Sequence, residues 1–168
     1  IRVVLAGAAG QKVVSAGNLL ASAATLSGLW VSRRADFPIT IQTGFSVVEI
    51  VISPDPVLYS GIVEPDVVAI IAQEGKSKVA RLTKAMKKTS VIYFSDGLDE
   101  IETQAKVLPL AFPESAKKDV RKNISALTAG FIAKELNIFP FEALKEASKK
   151  IQKPKISEIN LSVFAHFE

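Results

Sequence analysis

Apolar residues fall in short dense runs separated by polar stretches rich in glycine and proline, and their period changes along the chain. Arg2 to Ala6 is a β-branched and apolar run of the kind that forms a strand buried on both faces. Gly7 to Gln11 breaks it, and from Lys12 the period becomes helical. Val13, Leu19, Leu20, Ala23, Ala24 and Leu26 make one apolar side, and Gly28 stands where a C-terminal capping glycine belongs. Leu29 to Ser32 reads as a short strand and Arg33 to Gly44 as a polar loop. Phe45 to Ile52 is strongly β-branched and is ended by Pro54 and Pro56. Asp66 to Ala72 is another buried-type run, Ser90 to Phe94 a strand stopped by the turn dipeptide Asp96-Gly97, and Lys106 to Phe112 the last strand.

Helical spacing predicts a helix over Glu74 to Lys88, with Val79, Leu82 and Met86 on its inner face. Pro113 fits the first turn of a long helix to about Leu136, and Pro140 opens another to about Ile151. After Pro154, Ile156, Ile159, Val163 and Phe167 recur at helical spacing. Strands alternating with helices predict an α/β fold: a largely parallel sheet flanked by helices, with a helical C-terminal part, in one domain over residues 1–168. The opening strand, glycine loop and helix are the first half of a nucleotide-binding βαβ unit.

Composition then narrows the chemistry. With no cysteine, the chain offers no disulfide, no thiolate zinc site and no cysteine ligand for an iron–sulfur cluster. Its one histidine, His166, stands unaccompanied in the sequence near the C-terminus and reads as structural or solvated, which leaves no expected Ser-His-Asp or multi-histidine site. Metal or redox chemistry is therefore expected to be carried by another chain or by a bound cofactor. No apolar run is long enough to span a membrane. The N-terminal run reads as a buried strand rather than a signal-peptide core, because a helix follows at once and Arg2 is its only positive flank. The cytoplasm is the expected compartment.

The first loop, Gly7-Ala8-Ala9-Gly10-Gln11-Lys12, carries the most information. A tight turn from a buried strand into a helix aims backbone N–H groups and the positive end of the helix dipole outward, which suits a phosphate. The same two glycines also serve a plain tight turn. Lys12 is the odd member: a cation in the first helical turn opposes the dipole by about 0.3–1 kcal/mol unless an anion compensates. Arg33 and Arg34 follow the second strand, where an NAD site carries an acid. They suit the ribose phosphate of NADP or coenzyme A, or a solvated pair.

The loop, together with Pro65 to Ile71 and Asn123 to Gly130, resembles the gamma subunit or domain of 2-oxoacid:ferredoxin (acceptor) oxidoreductases, which include the pyruvate, ketoisovalerate and indolepyruvate enzymes. That family writes the loop as Gly-x-Gly-Gly-Gln-Gly; Gly7, Gly10 and Gln11 match, and Ala9 and Lys12 replace glycines. Its Arg-Gly-Gly between the second and third strands is similar to Gln42-Thr43-Gly44, of which Gly44 matches. The resemblance implies a Rossmann-like domain of a complex that oxidatively decarboxylates a 2-oxoacid to an acyl-coenzyme A and reduces ferredoxin. Thiamine diphosphate and iron–sulfur clusters would then sit in other subunits, and Gly7, Gly10, Gln11, Lys12, Arg33, Arg34, Gln42, Thr43 and Gly44 are the candidate ligand contacts.

Two lysine-rich clusters carry much of the net charge of +4: Lys76 to Lys88, and Lys117, Lys118, Arg121 and Lys122. They lack the aromatic interleaving of a nucleic-acid site and read as solvated faces or as docking faces for an acidic partner such as ferredoxin. Trp30 is expected in core or interface packing. Two further readings stand beside the oxidoreductase subunit: a free-standing Rossmann-like nucleotide- or anion-binding domain, and a structural interaction module with a decayed site.

Overall fold

The computed structural model describes residues 1–38 and 44–168. Gln42 and Thr43 lie outside them. The elements follow in the order β1 (Arg2–Ala8), α1 (Val13–Leu26), β2 (Trp30–Asp36), β3 (Phe45–Ser53), β4 (Val67–Ile70), α2 (Gln73–Lys84), β5 (Val91–Phe94) and β6 (Lys106–Pro109). A 3-10 turn (Glu114–Ala116) then leads to α3 (Val120–Leu136), α4 (Phe141–Ile151) and α5 (Pro154–Phe164).

The strands form one sheet in the order β2-β3-β1-β4-β5-β6. β1, β4, β5 and β6 pair in parallel, while β3 is antiparallel to both β1 and β2. β3 alone among the described strands therefore runs against the others, and it fills the place beside β1 that β2 takes in a simple βαβ unit. The central strands bury both faces. Val3 and Leu5 of β1 join Val48, Ile50 and Ala69 in a core roofed by α1, α3, α4 and α5. Val4 and Ala6 join Val47, Val68, Ile70 and Ile92 in a second core under α2. Double burial explains why these strands read as unbroken apolar runs rather than alternating ones.

β2 is longer than its sequence predicts. Arg33 to Asp36, expected in a loop, continue the strand and pair with Val47 to Ile50. An edge strand is paired on one side only and keeps polar side chains, so it carries no buried-strand pattern. The helix expected from Pro113 is also divided. The 3-10 turn comes first, and α3 has a non-helical residue, Asn123 (φ −127°, ψ 23°), inside its first turns. Asparagine competes for backbone hydrogen bonds and disfavours helix interiors. In α5 the buried side is Ser157, Asn160, Val163 and Phe164, whereas Ile156 and Ile159 face outward.

β1 and β4 are tied at their entry. The Arg2 N–H donates to Asp66 Oδ2 (2.7 Å) and its guanidinium to both carboxylate oxygens (3.2 and 2.9 Å). Burial pushes the Asp66 carboxyl up, but the hydrogen bonds and charge of Arg2 outweigh it and hold it below its ordinary value.

At their exits the two strands diverge. The chain leaves β1 for α1 on one face and leaves β4 for α2 on the other. A crevice at the carboxyl ends of adjacent parallel strands whose connections part in this way is where open α/β sheets bind ligands.

Candidate functional site

The Gly7–Lys12 loop occupies that switch point. Gly10 turns it with φ +86°. Gln11 folds back so that its side-chain Oε1 accepts the Ala8 N–H (2.8 Å), while its own N–H donates to Ala8 O (3.2 Å). The Ala9 N–H donates to Gly44 O (2.8 Å), which brings Gly44 to the loop. The Gln11 carbonyl accepts the Ser125 hydroxyl, so α3 is pinned to the loop as well. Three of the loop's N–H groups are thus satisfied internally.

The donors left for an anion lie at the start of α1. Lys12 is its N-cap in the left-handed conformation (φ 61°, ψ 29°). This is where the gamma-type loop writes glycine, and left-handed backbone is what glycine adopts without a Cβ penalty. No side chain caps α1 and its first turn holds no acid. The orphan N–H groups of Val13, Val14 and Ser15 therefore keep the positive end of the dipole.

Beside this helix end lies a cavity of about 70 Å³. Lys12 and Ser15 line it from α1, Lys122 and Asn123 from the irregular turns of α3, and Asn160 with Ile156 and Ile159 from α5. Two cations and several amide or hydroxyl groups on a partly apolar wall suit a phosphate-bearing ligand with an apolar arm. A hydrogen-bonded chain supports the wall. The Gln152 amide donates to Ser15 Oγ (3.3 Å) and accepts from Asn160 Nδ2 (2.8 Å) and Ser148 Oγ (2.7 Å).

Gly7, Gly10, Gln11, Lys12 and Gly44 are therefore brought together. Arg33 and Arg34 are not: the register sets them opposite Ile50 and Glu49 on the edge strand, with β3 between them and β1. Those levels are about 17 and 14 Å along the sheet from the loop, at roughly 3.4 Å per residue from Phe45. Sequence reasoning did not assign Ser15, Lys122, Asn123, Ser125 or Asn160 to the site. Asn123 and Ser125 stand in the Asn123–Gly130 segment and Lys122 in a basic cluster, but nothing in the sequence ties either to the first loop.

His166 is not unaccompanied. Its Nδ1 lies 2.9 Å from Ser115 Oγ and its Nε2 3.0 Å from Asp119 Oδ2, so it clamps the C-terminal turn to the entrance of α3. In the first basic cluster, Lys78, Lys84 and Lys87 pair with Asp36, Glu102 and Glu64. The described residues contain no cluster of three or more histidine, cysteine or acidic side chains able to hold a metal. Among them, no helix is long and apolar enough to cross a membrane.

The sequence model of the pyruvate ferredoxin/flavodoxin oxidoreductase family matches residues 2–166. The chain belongs to this family. Its fold is that of several solved oxidoreductase chains. One is the gamma subunit of a keto/oxoacid ferredoxin oxidoreductase from Geobacter sulfurreducens, with 21% identity, a TM-score of 0.71, and coverage of 98% of this chain and 94% of that one. Another is the pyruvate oxidoreductase subunit PORC of Thermotoga maritima, with 17% identity, a TM-score of 0.75, and coverage of 98% and 92%. A third is the 2-oxoglutarate:ferredoxin oxidoreductase of Magnetococcus marinus, solved with 2-oxoglutarate, coenzyme A and succinyl-CoA bound. That likeness has 21% identity and a TM-score of 0.74, and this family member spans 98% of itself but only 30% of that longer chain. A search of curated proteins finds no match.

Proposed function

We propose that residues 1–168 act as one gamma-type domain or subunit of a 2-oxoacid:acceptor oxidoreductase. The complex converts a 2-oxoacid to an acyl-coenzyme A and passes electrons to ferredoxin. This chain contributes assembly and an anion-binding wall. Without cysteine it offers no thiolate for an iron–sulfur cluster, so clusters are assigned to other subunits or domains, and the family resemblance assigns thiamine diphosphate there as well.

The observation that carries the reading is the convergence of the Gly7–Lys12 loop, Gly44 and the Lys12–Lys122 cavity at the switch point. The donor set fits a phosphate of coenzyme A: two ammonium groups, the open first turn of α1, and no acid in that turn. Coenzyme A, when bound, supplies the thiol that accepts the acyl group. This chain's part is to hold and orient its phosphate end through Lys12, Lys122 and the α1 N–H groups.

Two measurements test the reading. Isolation of the complex through this chain should bring thiamine-dependent companions with it. Coenzyme A should bind saturably to the complex, and Lys12→Ala with Lys122→Ala should weaken it at least tenfold. Companions without such loss would favour the structural-module reading, which the internally satisfied loop N–H groups support.

A further inference from the structure

The segment between β3 and β4 presents apolar side chains to solvent. Leu58 is 92% exposed, Tyr59 62% and Val63 79%. The segment is held from beneath: Ile62 is buried and Val57 packs in the core on the α2 side, and the Ile62 N–H donates to Glu49 Oε2 (3.0 Å). Inner anchoring fixes which side chains turn outward.

The exposed loop adjoins the edge strand. Arg34 stands opposite Glu49, and its Nη1 lies 3.3 Å from where Gly61 would carry a Cβ. Trp30, opposite Ser53, is 54% exposed. Scattered exposed apolar residues are ordinary, but Trp, Tyr and Arg together have the composition of an interface hot spot, and Leu58 adds exposed apolar area beside them.

Charge decides between occupants. Among the described residues neither Arg33 nor Arg34 is in an ion pair. A second copy pairing antiparallel about the middle of β2 would set Arg33 against its own copy, and like charges directly opposite are destabilising. A different chain bearing carboxylates would pair with both arginines.

We propose that β2 and the Val57–Val63 loop form one docking surface for a companion subunit. That subunit presents an apolar hollow to Leu58 and Tyr59 and carboxylates to Arg34, which shares the face of that loop, and to Arg33 on the other face of the edge strand. The proposal rests on the oxidoreductase-subunit reading and adds to it the surface and the partner's chemistry.

The complex isolated through a tag on the full chain, diluted in steps and read by native mass spectrometry, tests it. Leu58→Ser with Tyr59→Ser should weaken retention of companions about 30-fold or more, the scale of an interface hot spot. Arg33→Glu with Arg34→Glu should weaken it at least tenfold and remove its sensitivity to salt. Val107→Ser, an exposed apolar side chain on the opposite edge strand, should leave it unchanged. Companions retained equally by both double variants would overturn the proposal while leaving the subunit reading in place. A wild-type chain without companions would overturn both. A homodimer that depends on Leu58 would overturn it in favour of self-association.

Discussion

Gly75, in the first turn of α2, lies so close to Gly7 at the end of β1 that a Cβ on it would stand 2.3 Å from the Gly7 nitrogen. The same Cβ would be 2.4 Å from the Ala6 carbonyl carbon. Both obstacles are backbone of the central strand, so neither gives way cheaply. Gly75→Ala should lift α2 from the sheet and cost about 3 kcal/mol or more, a strong case of overpacking. A denaturant midpoint measures it, and a loss below about 1 kcal/mol would show that the contact relaxes freely.

Lys12→Gly removes a left-handed non-glycine residue and a cation from the positive end of α1. It should stabilise the fold by about 1 kcal/mol while weakening coenzyme A. Lys12→Ala should weaken the ligand without the full gain in stability. Thermal unfolding and ligand titration of the two variants separate the effects.

Gln11→Ala leaves the Ala8 N–H without its acceptor. A loss of about 1–2 kcal/mol is expected. Gln11→Glu keeps an oxygen in place, so it should be close to wild type in stability but weaker for an anion. Equal loss of stability in both would reject the acceptor role.

Stability should fall on the acid side through Asp66. Its folded pKa is depressed, so its contribution is complete above the unfolded carboxyl's pKa and is lost as the pH falls through the lower folded value. Asp66→Asn should reduce stability at neutral pH and flatten its pH dependence in the acid range. Denaturation midpoints at a series of pH values test this, and parallel curves for the two proteins would reject it.

The central architecture was legible because burial on both faces leaves a strong mark. β1, β3 and β4 are apolar runs without alternation, and α1 announces itself by its inner alanines and leucines. The glycine loop was legible because a turn with φ +86° at Gly10 restricts residue choice. What escaped depends on exposure or distant pairing. Arg33 to Asp36 form strand because β3 pairs with them, and nothing local encodes that partner. The insertion of β3 beside β1 is equally non-local. The site's second half was hidden because the Gln11–Ser125 contact joins residues far apart in sequence. His166 has the structural role read for it, but its partners escaped for the same reason: Ser115 and Asp119 are remote along the chain.

The place of β3 also orders events during synthesis. Both neighbours of β1 lie downstream of α1 and β2: β3 at Phe45–Ser53 and β4 at Val67–Ile70. A nascent chain that has emerged only as far as β2 holds its future central strand with both edges open. The amino-terminal strand–helix–strand segment therefore has no finished sheet of its own, and the nucleotide-type motif at its heart takes shape only when the later strands lock it in.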